Sequence, residues 1–417
     1  MRQEEAGLNP RGSALRSWAP LAVIMILLVG GEVICRAVVA PTRLDLILNL
    51  LERDLFLLWR LRADLDTQFE HARVRTNKFH VRGPAFAAAK TPARMRVVCL
   101  GASPTFGWGV NEESAYPAVV ARLLARQGIN AEVINGGVPG YTSWQGMHFL
   151  ERDVLAWSPD AVTVAYDLND LDVFRFFRND GRPDSAQKPE SAAVVVVQNR
   201  LNRSVLYGLF RRTLISALSS GGAFDPTRLP RRVSVEEYRK NLLSIERLCR
   251  ARGVRLVFLK MPVNLPFYRL EKRDPDRARL ERRLGDEAVD RGDWPAAKTH
   301  YEKSNELDPT VVETYGALAQ ALRRVGQDDR AQSVLSMIPF AAAFSDRIDR
   351  QYNAGAEEVA RSTQRPCVDV VAAFAQDGRG EALWNSREDP FHPNAEGHAI
   401  IAKLTSETLA TMLRTSE

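Results

Sequence analysis

The sequence predicts an α/β fold, a three-layer sandwich in which helices cover both faces of a five-stranded parallel sheet. Two observations predict this class: five short apolar runs are spaced along the chain, and helical patterns separate several of them. Strands that alternate with helices are typical of a parallel sheet with a helical layer on each face. Ligands of such sheets bind beyond the carboxyl ends of the strands.

Each predicted strand is a short run of mostly apolar residues. The five strands are Met95–Leu100, Ala131–Ile134, Ala161–Tyr166, Val254–Met261 and Cys367–Val370. Helical patterns at Ala115–Gln127 and Gln145–Ala156 follow the first and second strands, and a third at Val235–Arg252 precedes the fourth. The residues that suggest chemistry fall just after strands or in late loops, namely Ser103, Gly140, Asn169 and His392. We therefore expect a site at the carboxyl edge of the sheet.

Length and composition restrict the partners and cofactors. The chain has 417 residues, of which 45% are hydrophobic and 26% charged, so it can bury one large core and carry an appendage. The net charge of +6 is modest and no reader motif accompanies it, so no nucleic-acid partner is predicted. The four cysteines lack metal-ligand spacing and are too few for a disulfide framework. No metal, nucleotide or flavin site is visible, and no cofactor is predicted.

An apolar segment near the N-terminus predicts a membrane anchor. Trp18–Gly31 carries no charge, and Glu32–Ala40 extends it to roughly the 20 residues of a membrane-spanning helix. We predict a cytoplasmic tail at 1–17 and a single-pass anchor at 18–40 in a bacterial-type inner membrane, with the α/β part periplasmic or otherwise extracytoplasmic. The alternatives are a buried core helix and a cleaved signal peptide, for which Ala37–Ala40 is a fair cleavage site.

The arginines around the apolar run give little preference for one orientation. Arg2, Arg11 and Arg16 precede the run, but Arg36 and Arg43 follow it. The positive-inside rule counts such charges in the flanking segments. It therefore favours a cytoplasmic N-terminus only by a small margin.

The rest of the chain divides into a juxtamembrane segment and an interrupted α/β domain. The juxtamembrane segment, 41–92, begins with the leucine-rich Thr42–Asp66, which is expected to form an amphipathic helix on the membrane or on the α/β domain. The α/β domain, which becomes the candidate catalytic domain below, is predicted to have a first part at 93–275 and a second part at 345–417. Between the two parts, 276–344 is predicted to be a helical insert.

The insert resembles a tetratricopeptide repeat, whose period is about 34 residues. The residues at the offsets of that repeat are Leu284, Gly285, Ala288, Gly292, Ala297, Tyr301 and Pro309, and a weaker second copy has Leu318, Ala319, Leu322, Gly326, Ala331 and Leu335. These copies would form one or two helical hairpins that lean on the catalytic domain, since about three repeats are needed for a stable array. An ordinary helical excursion is the alternative.

Two distant stretches carry the residue types of a serine nucleophile and its base. Ser103 follows the first predicted strand in a tight turn. Asp389 precedes His392 by three residues, so the carboxylate could orient the imidazole while the imidazole deprotonates Ser103. A serine is a poor nucleophile at neutral pH and needs such a base, held by a third group. Taken singly, Ser103 could instead cap a helix and His392 could lie on the surface.

Four short blocks, in this order, resemble the SGNH (GDSL-type) hydrolase superfamily. The family's Gly-Asp-Ser block reads Gly101-Ala102-Ser103 here, the second block is Asn135–Thr142, the third reads Asp167-Leu168-Asn169-Asp170 in place of Gly-X-Asn-Asp, and the last is Asp389-Pro390-Phe391-His392. The likeness runs from about Arg96 to the C-terminus, apart from the insert. It implies a flavodoxin-like SGNH fold.

The resemblance also implies roles for five residues. Ser103, His392 and Asp389 match the nucleophile, the base and the acid of the family. Gly140 matches the glycine that offers its backbone N–H to the oxyanion, and Asn169 matches the side-chain donor. Such preorganised donors are usually the largest stabilising effect in acyl transfer, and losing one costs on the order of a hundredfold to a thousandfold in rate.

The implied activity is that of a serine esterase acting on an acylated glycan of the cell envelope or extracellular space, or on another ester. It would hydrolyse or transfer an O-acyl group such as O-acetyl. Two departures stand against this: Ala102 replaces the family's aspartate, and Asp167 replaces its glycine with a carboxylate that would oppose an oxyanion. The alternative is a catalytically weak or inactive scaffold that binds a protein partner of an envelope assembly through the insert.

Two further segments have open roles. Arg75–Gly83 resembles a segment that precedes the first block in membrane-anchored relatives, and it is either an edge element or a functional one. The aromatic run Phe174–Phe177, which follows the third block with Arg178 beside it, forms either a substrate-facing wall or part of the core.

Overall fold

The computed structural model describes residues 10–40, 42–173, 175–177, 181–188, 190–218, 230–264, 273–345, 349–386 and 389–414. The chain forms two compact units. The first unit consists of Met1–Asn49 with Ala192–Ala223, and the second of Leu50–Ser191 with Phe224–Glu417. The predicted tail at 1–17 lies partly outside the described residues.

The second unit is built on a five-stranded parallel sheet. The strands are β1 (Leu51–Asp54), β2 (Leu58–Leu61), β3 (Asp66–Phe69), β4 (Ala72–Arg75), β5 (Met95–Gly101), β6 (Ala131–Gly137), β7 (Ala161–Ala165), β8 (Arg255–Lys260) and β9 (Cys367–Asp369). Strands β5 to β9 form the parallel sheet in the order β6-β5-β7-β8-β9, while β1 with β2 and β3 with β4 form antiparallel hairpins. The five predicted strands are thus confirmed.

Helices cover both faces of this sheet. The α-helices in the described parts of both units are α1 (Pro10–Val38), α2 (Arg43–Leu50), α3 (Ser103–Phe106), α4 (Tyr116–Arg126), α5 (Ser143–Arg152), α6 (Ala192–Leu201), α7 (Val205–Leu218), α8 (Val235–Ala251), α9 (Pro275–Asp290), α10 (Trp294–Leu307), α11 (Val312–Arg324), α12 (Asp328–Ser336), α13 (Ile338–Ser345), α14 (Asp349–Ser362), α15 (Val370–Asp377) and α16 (Ala395–Arg414). One layer contains α4, α15 and α16, and the other contains α5, α8 and α14. The predicted three-layer class is confirmed.

Strand β5 shows why the sheet is buried on both faces. Val97 and Cys99 join the apolar cluster beneath α4 and α16, whereas Val98 and Leu100 point to the opposite face, and all four have no exposed surface. Strands that read as continuous apolar runs are typical of parallel sheets covered on both sides. Burying one such side chain contributes roughly 1.5–3 kcal/mol. The apolar run therefore fixes β5 as a central strand.

The register of the sheet brings three strand ends to one level. Gly101 of β5 pairs with Gly137 of β6 on one side and with Ala165 of β7 on the other. The residues that follow these three strands therefore leave the sheet at the same edge. This edge contains the first three sequence blocks.

The expectation of a long amphipathic helix over Thr42–Asp66 is wrong. Only Arg43–Leu50 is helical, and the chain then turns into the β1–β2 hairpin. The Asp54 carboxylate accepts the backbone N–H groups of Phe56 and Leu57 at 2.8 Å, which closes the hairpin turn. Local side-chain bonds of this kind compete with helix formation.

The predicted insert is helical throughout its described residues. Helices α9 to α12 pack as two successive hairpins around an apolar cluster that contains Ala297, Tyr301, Leu318 and Leu322. A Cβ atom on Gly285 would lie 2.5 Å from the Tyr301 ring, so this position requires glycine for close helix packing. The repeat assignment itself stays a prediction.

Within the described residues, one helix is long and apolar enough to cross a membrane, Pro20–Val38 of the first unit. It lies within α1, and its large apolar side chains are exposed. Its length and composition suit either a single-pass anchor or a signal sequence.

His398 in α16 gives a stability prediction. This histidine has no exposed surface, and its Nδ1 accepts the backbone N–H of Tyr116 at 3.2 Å. Burial, together with the charges of Arg82 and His392, lowers the pKa of His398 to about 3. Because the unfolded chain binds the proton near pH 6.5, the stabilisation is complete above that pH and is lost as the pH falls toward 3.

We expect the free energy of unfolding to fall less steeply between about pH 6.5 and pH 4 in His398→Asn than in the wild type. The slopes should differ by up to about 1.4 kcal/mol per pH unit. Asparagine keeps an acceptor for the Tyr116 N–H but cannot be protonated. Urea unfolding across this pH range measures the slopes, with the exposed His71→Asn as the control. Equal slopes for His398→Asn and the wild type would contradict the assignment.

Candidate active site

Ser103 stands at the start of a short helix directly after β5. Strand β5 ends at Gly101, Ala102 is the residue before the helix, and Pro104 lies in its first turn. A Cβ atom on Gly101 would lie 2.0 Å from the Thr105 hydroxyl, so the tight turn requires glycine at this position. Proline in a first helical turn is favoured because its missing N–H would have no partner there. The turn thus fixes the serine at the carboxyl edge of the sheet.

The structure brings the two distant stretches together. His392 Nε2 lies 2.8 Å from Ser103 Oγ, and His392 Nδ1 lies 3.0 Å from both carboxylate oxygens of Asp389. A carboxylate can only accept, so Nδ1 carries the proton and Nε2 is the acceptor for the serine hydroxyl. This is the geometry that a histidine base and its orienting acid need.

The charge of Asp389 is stabilised by its surroundings. Burial alone would raise its pKa, but His392 and the backbone N–H groups of Phe391 and His392 outweigh burial and hold the pKa of Asp389 below its usual range. The carboxylate therefore stays ionised at neutral pH. An ionised partner favours the imidazolium that forms when His392 takes a proton.

The loop that holds Asp389 and His392 is anchored from several sides. Asn264 donates its backbone N–H to the carbonyl of Pro390 at 2.9 Å and its side-chain amide to that of Asp389 at 3.0 Å. Trp108 stacks on the His392 ring with a centroid distance of 5.0 Å and an interplanar angle of 14°. Asn385 donates its side-chain amide to the Trp108 carbonyl at 2.8 Å. These contacts restrict the imidazole to one orientation.

The two predicted oxyanion donors follow the strands on either side of β5. Gly140 lies in the loop after β6 with a φ of +76°, and a Cβ atom there would lie 2.5 Å from the Phe176 ring. Asn169 follows β7, and its side-chain amide donates to the Tyr141 carbonyl at 3.1 Å. Asn169 is therefore bonded to the loop that contains Gly140. The roles of both residues as donors stay predictions.

The comparison with protein families identifies the family of this chain. Residues 99–334, more than half of the chain, match the model of the GDSL-like Lipase/Acylhydrolase family. The chain belongs to this family. The matched range contains the first three blocks and ends before Asp389 and His392. Membership supports an esterase-type hydrolase activity in general terms.

Solved structures with a similar fold are distant in sequence. A lipase/acylhydrolase from Enterococcus faecalis is 14% identical, covers 76% of this chain and 96% of its own, and has a TM-score of 0.38. An acetylxylan esterase from Geobacillus stearothermophilus is 15% identical, covers 76% and 94%, and also has a TM-score of 0.38. A search of curated proteins gave no match.

Arg82 is buried beside the site and belongs to Arg75–Gly83, the segment whose role the sequence left open. Its guanidinium donates to the carbonyls of Phe106, Gly107 and Val110 at 2.7–2.8 Å, where the Ser103 helix ends. Burial lowers the pKa of Arg82 to about 10, so the group stays charged at neutral pH. A cation at a helix C-terminus is stabilised by the unpaired carbonyls. Arg82 thus holds the short helix that presents the GDSL-type serine.

Arg232 and Asp184 form a buried ion pair behind the Gly140 loop. Arg232 donates to the Gly140 carbonyl at 2.7 Å and to the Gln145 side chain at 2.8 Å, and it pairs with Asp184 at 2.9 Å. Burial alone would raise the pKa of Asp184, but Arg232 and Arg175 outweigh it and hold the pKa below its usual range. A buried pair of this kind fixes the geometry of the groups that it bonds. Here it fixes the carbonyl side of the Gly140 peptide.

Trp59 supports the same loop from the β1–β2 hairpin. Its indole N–H donates to the Pro139 carbonyl at 3.0 Å, and the Tyr141 hydroxyl donates back to the Trp59 carbonyl at 2.7 Å. Gln145 donates its side-chain amide to the Leu57 carbonyl of the same hairpin at 2.6 Å. Nothing in the leucine-rich sequence distinguishes Trp59 from an ordinary core residue. Only the fold shows that the hairpin orders the predicted oxyanion loop.

The two departures from the family pattern are both buried. Ala102 is the residue before the serine helix, and the Asp167 carboxylate accepts the backbone N–H of Leu168. The Asp170 carboxylate accepts the backbone N–H of Ser143 at the start of α5, and burial raises the pKa of Asp170 well above its usual range.

In the described part of the chain, no group of three His, Cys, Asp or Glu side chains could hold a metal ion.

The aromatic run after the third block is partly core. Phe176 packs edge-on against Trp59 with a centroid distance of 5.5 Å, and Phe177 lies 6.4 Å from the same ring. Phe174 and Arg178 lie outside the described residues. The two described rings therefore support the loop around Gly140.

Trp59→Phe should lower kcat on a soluble ester about threefold to tenfold, because it removes one hydrogen bond to the predicted oxyanion loop while keeping an aromatic ring. KM and the melting temperature should change little, since the lost bond matters mainly when the oxyanion forms. Trp157→Phe, another buried tryptophan, is the matched control. Steady-state kinetics of both variants measure the effect, and equal kcat values for Trp59→Phe and Trp157→Phe would exclude a positioning role.

Proposed function

We propose that this protein is a serine esterase of the SGNH type that removes or transfers O-acyl groups, such as O-acetyl, on glycans of the cell envelope or extracellular space. The observation that supports it is the chain of contacts from Ser103 through His392 to Asp389, at 2.8 and 3.0 Å. A surface histidine and a helix-capping serine would not need this alignment. The ionised Asp389 adds the orienting charge.

The reaction follows from the positions of these groups. Ser103 Oγ attacks the carbonyl carbon of the ester while His392 Nε2 takes the hydroxyl proton. The tetrahedral oxyanion accepts hydrogen bonds from the backbone N–H groups of Ser103 and Gly140 and from the Asn169 amide. When the intermediate collapses, His392 returns the proton to the leaving alcohol, and the acyl group remains on Ser103.

The second half of the reaction repeats these steps with a different nucleophile. Water, or a hydroxyl of an acceptor sugar, gives its proton to His392 and attacks the acyl carbon. The same three donors stabilise the new oxyanion, and its collapse releases the acid or the transferred ester. The proton on His392 then returns to Ser103 Oγ.

The proposed location is the outer side of a bacterial inner membrane, with Pro20–Val38 as a retained anchor. The contacts of Glu32 with α7 support retention, because they join the apolar helix to a helix far along the chain. A removed signal sequence would leave those groups on α7 without these partners. An extracytoplasmic position favours an envelope or secreted glycan as substrate.

The alternative function is a catalytically weak scaffold for an envelope assembly. Ala102 and Asp167 are the observations that favour it, since the family has aspartate and glycine at these positions. In that case the helical insert at 276–344 would bind the protein partner. The two functions differ in whether Ser103 reacts.

A fluorophosphonate probe tests the proposal, because it phosphonylates only serines that a neighbouring base activates. We expect labelling of the detergent-purified full chain at Ser103, located by peptide mapping. Labelling should be lost in Ser103→Ala and in His392→Ala, while thermal unfolding shows that both variants stay folded. Serine hydroxyls that lack a base, such as Ser336, give the background. A folded wild-type protein that shows no labelling would favour the scaffold function instead.

A further inference from the structure

Helices α6 and α7 of the first unit each expose several large apolar side chains. In α6, which contains four consecutive valines, Val194, Val196 and Val197 are 42–54% exposed. In α7, Leu209, Phe210 and Leu214 are 38–61% exposed. A soluble surface rarely presents contiguous apolar side chains, and such patches indicate an interaction site. We call these six exposed side chains of α6 and α7 the α6–α7 apolar patch.

Helix α7 is joined to the apolar N-terminal helix by a partly buried set of hydrogen bonds. The Glu32 carboxylate of α1 accepts the Ser204 hydroxyl at 2.7 Å and the backbone N–H groups of Val205 and Leu206 at 3.1 and 3.0 Å. These N–H groups belong to the first turn of α7 and have no partner within the helix. A carboxylate at a helix N-terminus is also favoured by the helix dipole. Glu32 is thus a cap supplied by another helix.

Two arginines strengthen this junction. Arg36 binds Glu32 at 2.7 Å and donates to the Arg203 carbonyl at 2.9 Å. Arg212 of α7 pairs with Asp45 of α2. A Cβ atom on Gly31 would lie 3.3 Å from the Leu206 side chain, so α1 and α7 are in close contact. The contacts place α7 against the end of the span that is long enough to cross a membrane.

Charged groups that lie next to an apolar span are expensive unless they are paired. Here Glu32 is satisfied by a hydroxyl, two backbone N–H groups and an arginine. The pairing allows α1 to remain in a bilayer with Glu32 near one interface. The same contacts hold the first turn of α7 at the bilayer depth of Glu32.

We propose that the two consecutive helices α6 and α7 are a second membrane-bound element, which lays its exposed apolar side chains into the lipid interface beside the Pro20–Val38 helix. Helix α6 is an apolar helix of 10 residues, too short to span but suited to an interfacial position. Arg200 of α6 and Arg203 in the turn before α7 are exposed, and such cations favour anionic lipid headgroups at the same surface. The exposed side chains of Pro20–Val38 continue the apolar surface, which is why lipid rather than a protein is the occupant.

The α6–α7 segment belongs to the first unit, together with the apolar N-terminal helix. The membrane binding does not depend on the proposed ester chemistry and is measured without it.

The test uses the full chain in vesicles of phosphatidylcholine and phosphatidylglycerol. A cysteine is introduced as Val197→Cys or Phe210→Cys and labelled with an environment-sensitive nitrobenzoxadiazole dye. We expect acyl-chain-brominated lipid to quench the dye at both positions by about twofold, as for a side chain buried below the headgroups. Leu280→Cys, an equally exposed leucine of α9, is the matched control and should show no quenching. Labelling of the native cysteines is measured in the unsubstituted chain and subtracted.

Two results would overturn the proposal. The first is bromolipid quenching at positions 197 and 210 no greater than at position 280. The second is ready quenching of all three dyes by aqueous iodide in vesicles. Val194→Cys is used in the same way if either substituted chain fails to fold, and circular dichroism checks folding before the measurement.

Discussion

The hydrogen bond between Ser103 Oγ and His392 Nε2 is the contact on which the rest of the site depends. It joins residues 289 positions apart at 2.8 Å. Such a bond forms only if β5 is a central strand and if the loop before α16 returns to the same edge of the sheet. The apolar runs of the strands, the glycine turn at Gly101 and the Asn264 contacts all serve to bring these two atoms together.

The site consists of three separately supported parts. Arg82 holds the helix of the serine, Asn264 and Trp108 hold the histidine loop, and Arg232 holds the loop of Gly140. Each support bonds main-chain carbonyls or stacks on a ring rather than touching the reacting atoms. Catalysis by preorganised groups requires this kind of support, because the donors must not reorganise when charge develops. The fold thus provides rigidity on all sides of the serine.

The sheet and the three side chains that meet at its carboxyl edge could be predicted from the sequence, but their supports could not. Parallel strands appear as continuous apolar runs, and Ser103, Asp389 and His392 stand in short recognisable blocks. Trp59, by contrast, contacts a carbonyl 80 residues away, and any residue type supplies a carbonyl. The helix prediction for Thr42–Asp66 failed for a related reason. The Asp54 carboxylate accepts the backbone N–H groups of Phe56 and Leu57 and closes a hairpin turn within a pattern that also suits a helix. The exposure of helix α6 could likewise not be predicted, because four consecutive valines are equally common in a buried helix or strand.

The central claim is that Ser103 carries the acyl group during turnover. The most direct measurement is intact-protein mass spectrometry after rapid mixing with p-nitrophenyl acetate, followed by an acid quench and peptide mapping. The account predicts one added acetyl group on the peptide that contains Ser103, and a burst of nitrophenol equal to the enzyme concentration if deacylation is the slower step. Release of nitrophenol at the wild-type rate from Ser103→Ala, or acetylation confined to other residues, would contradict it.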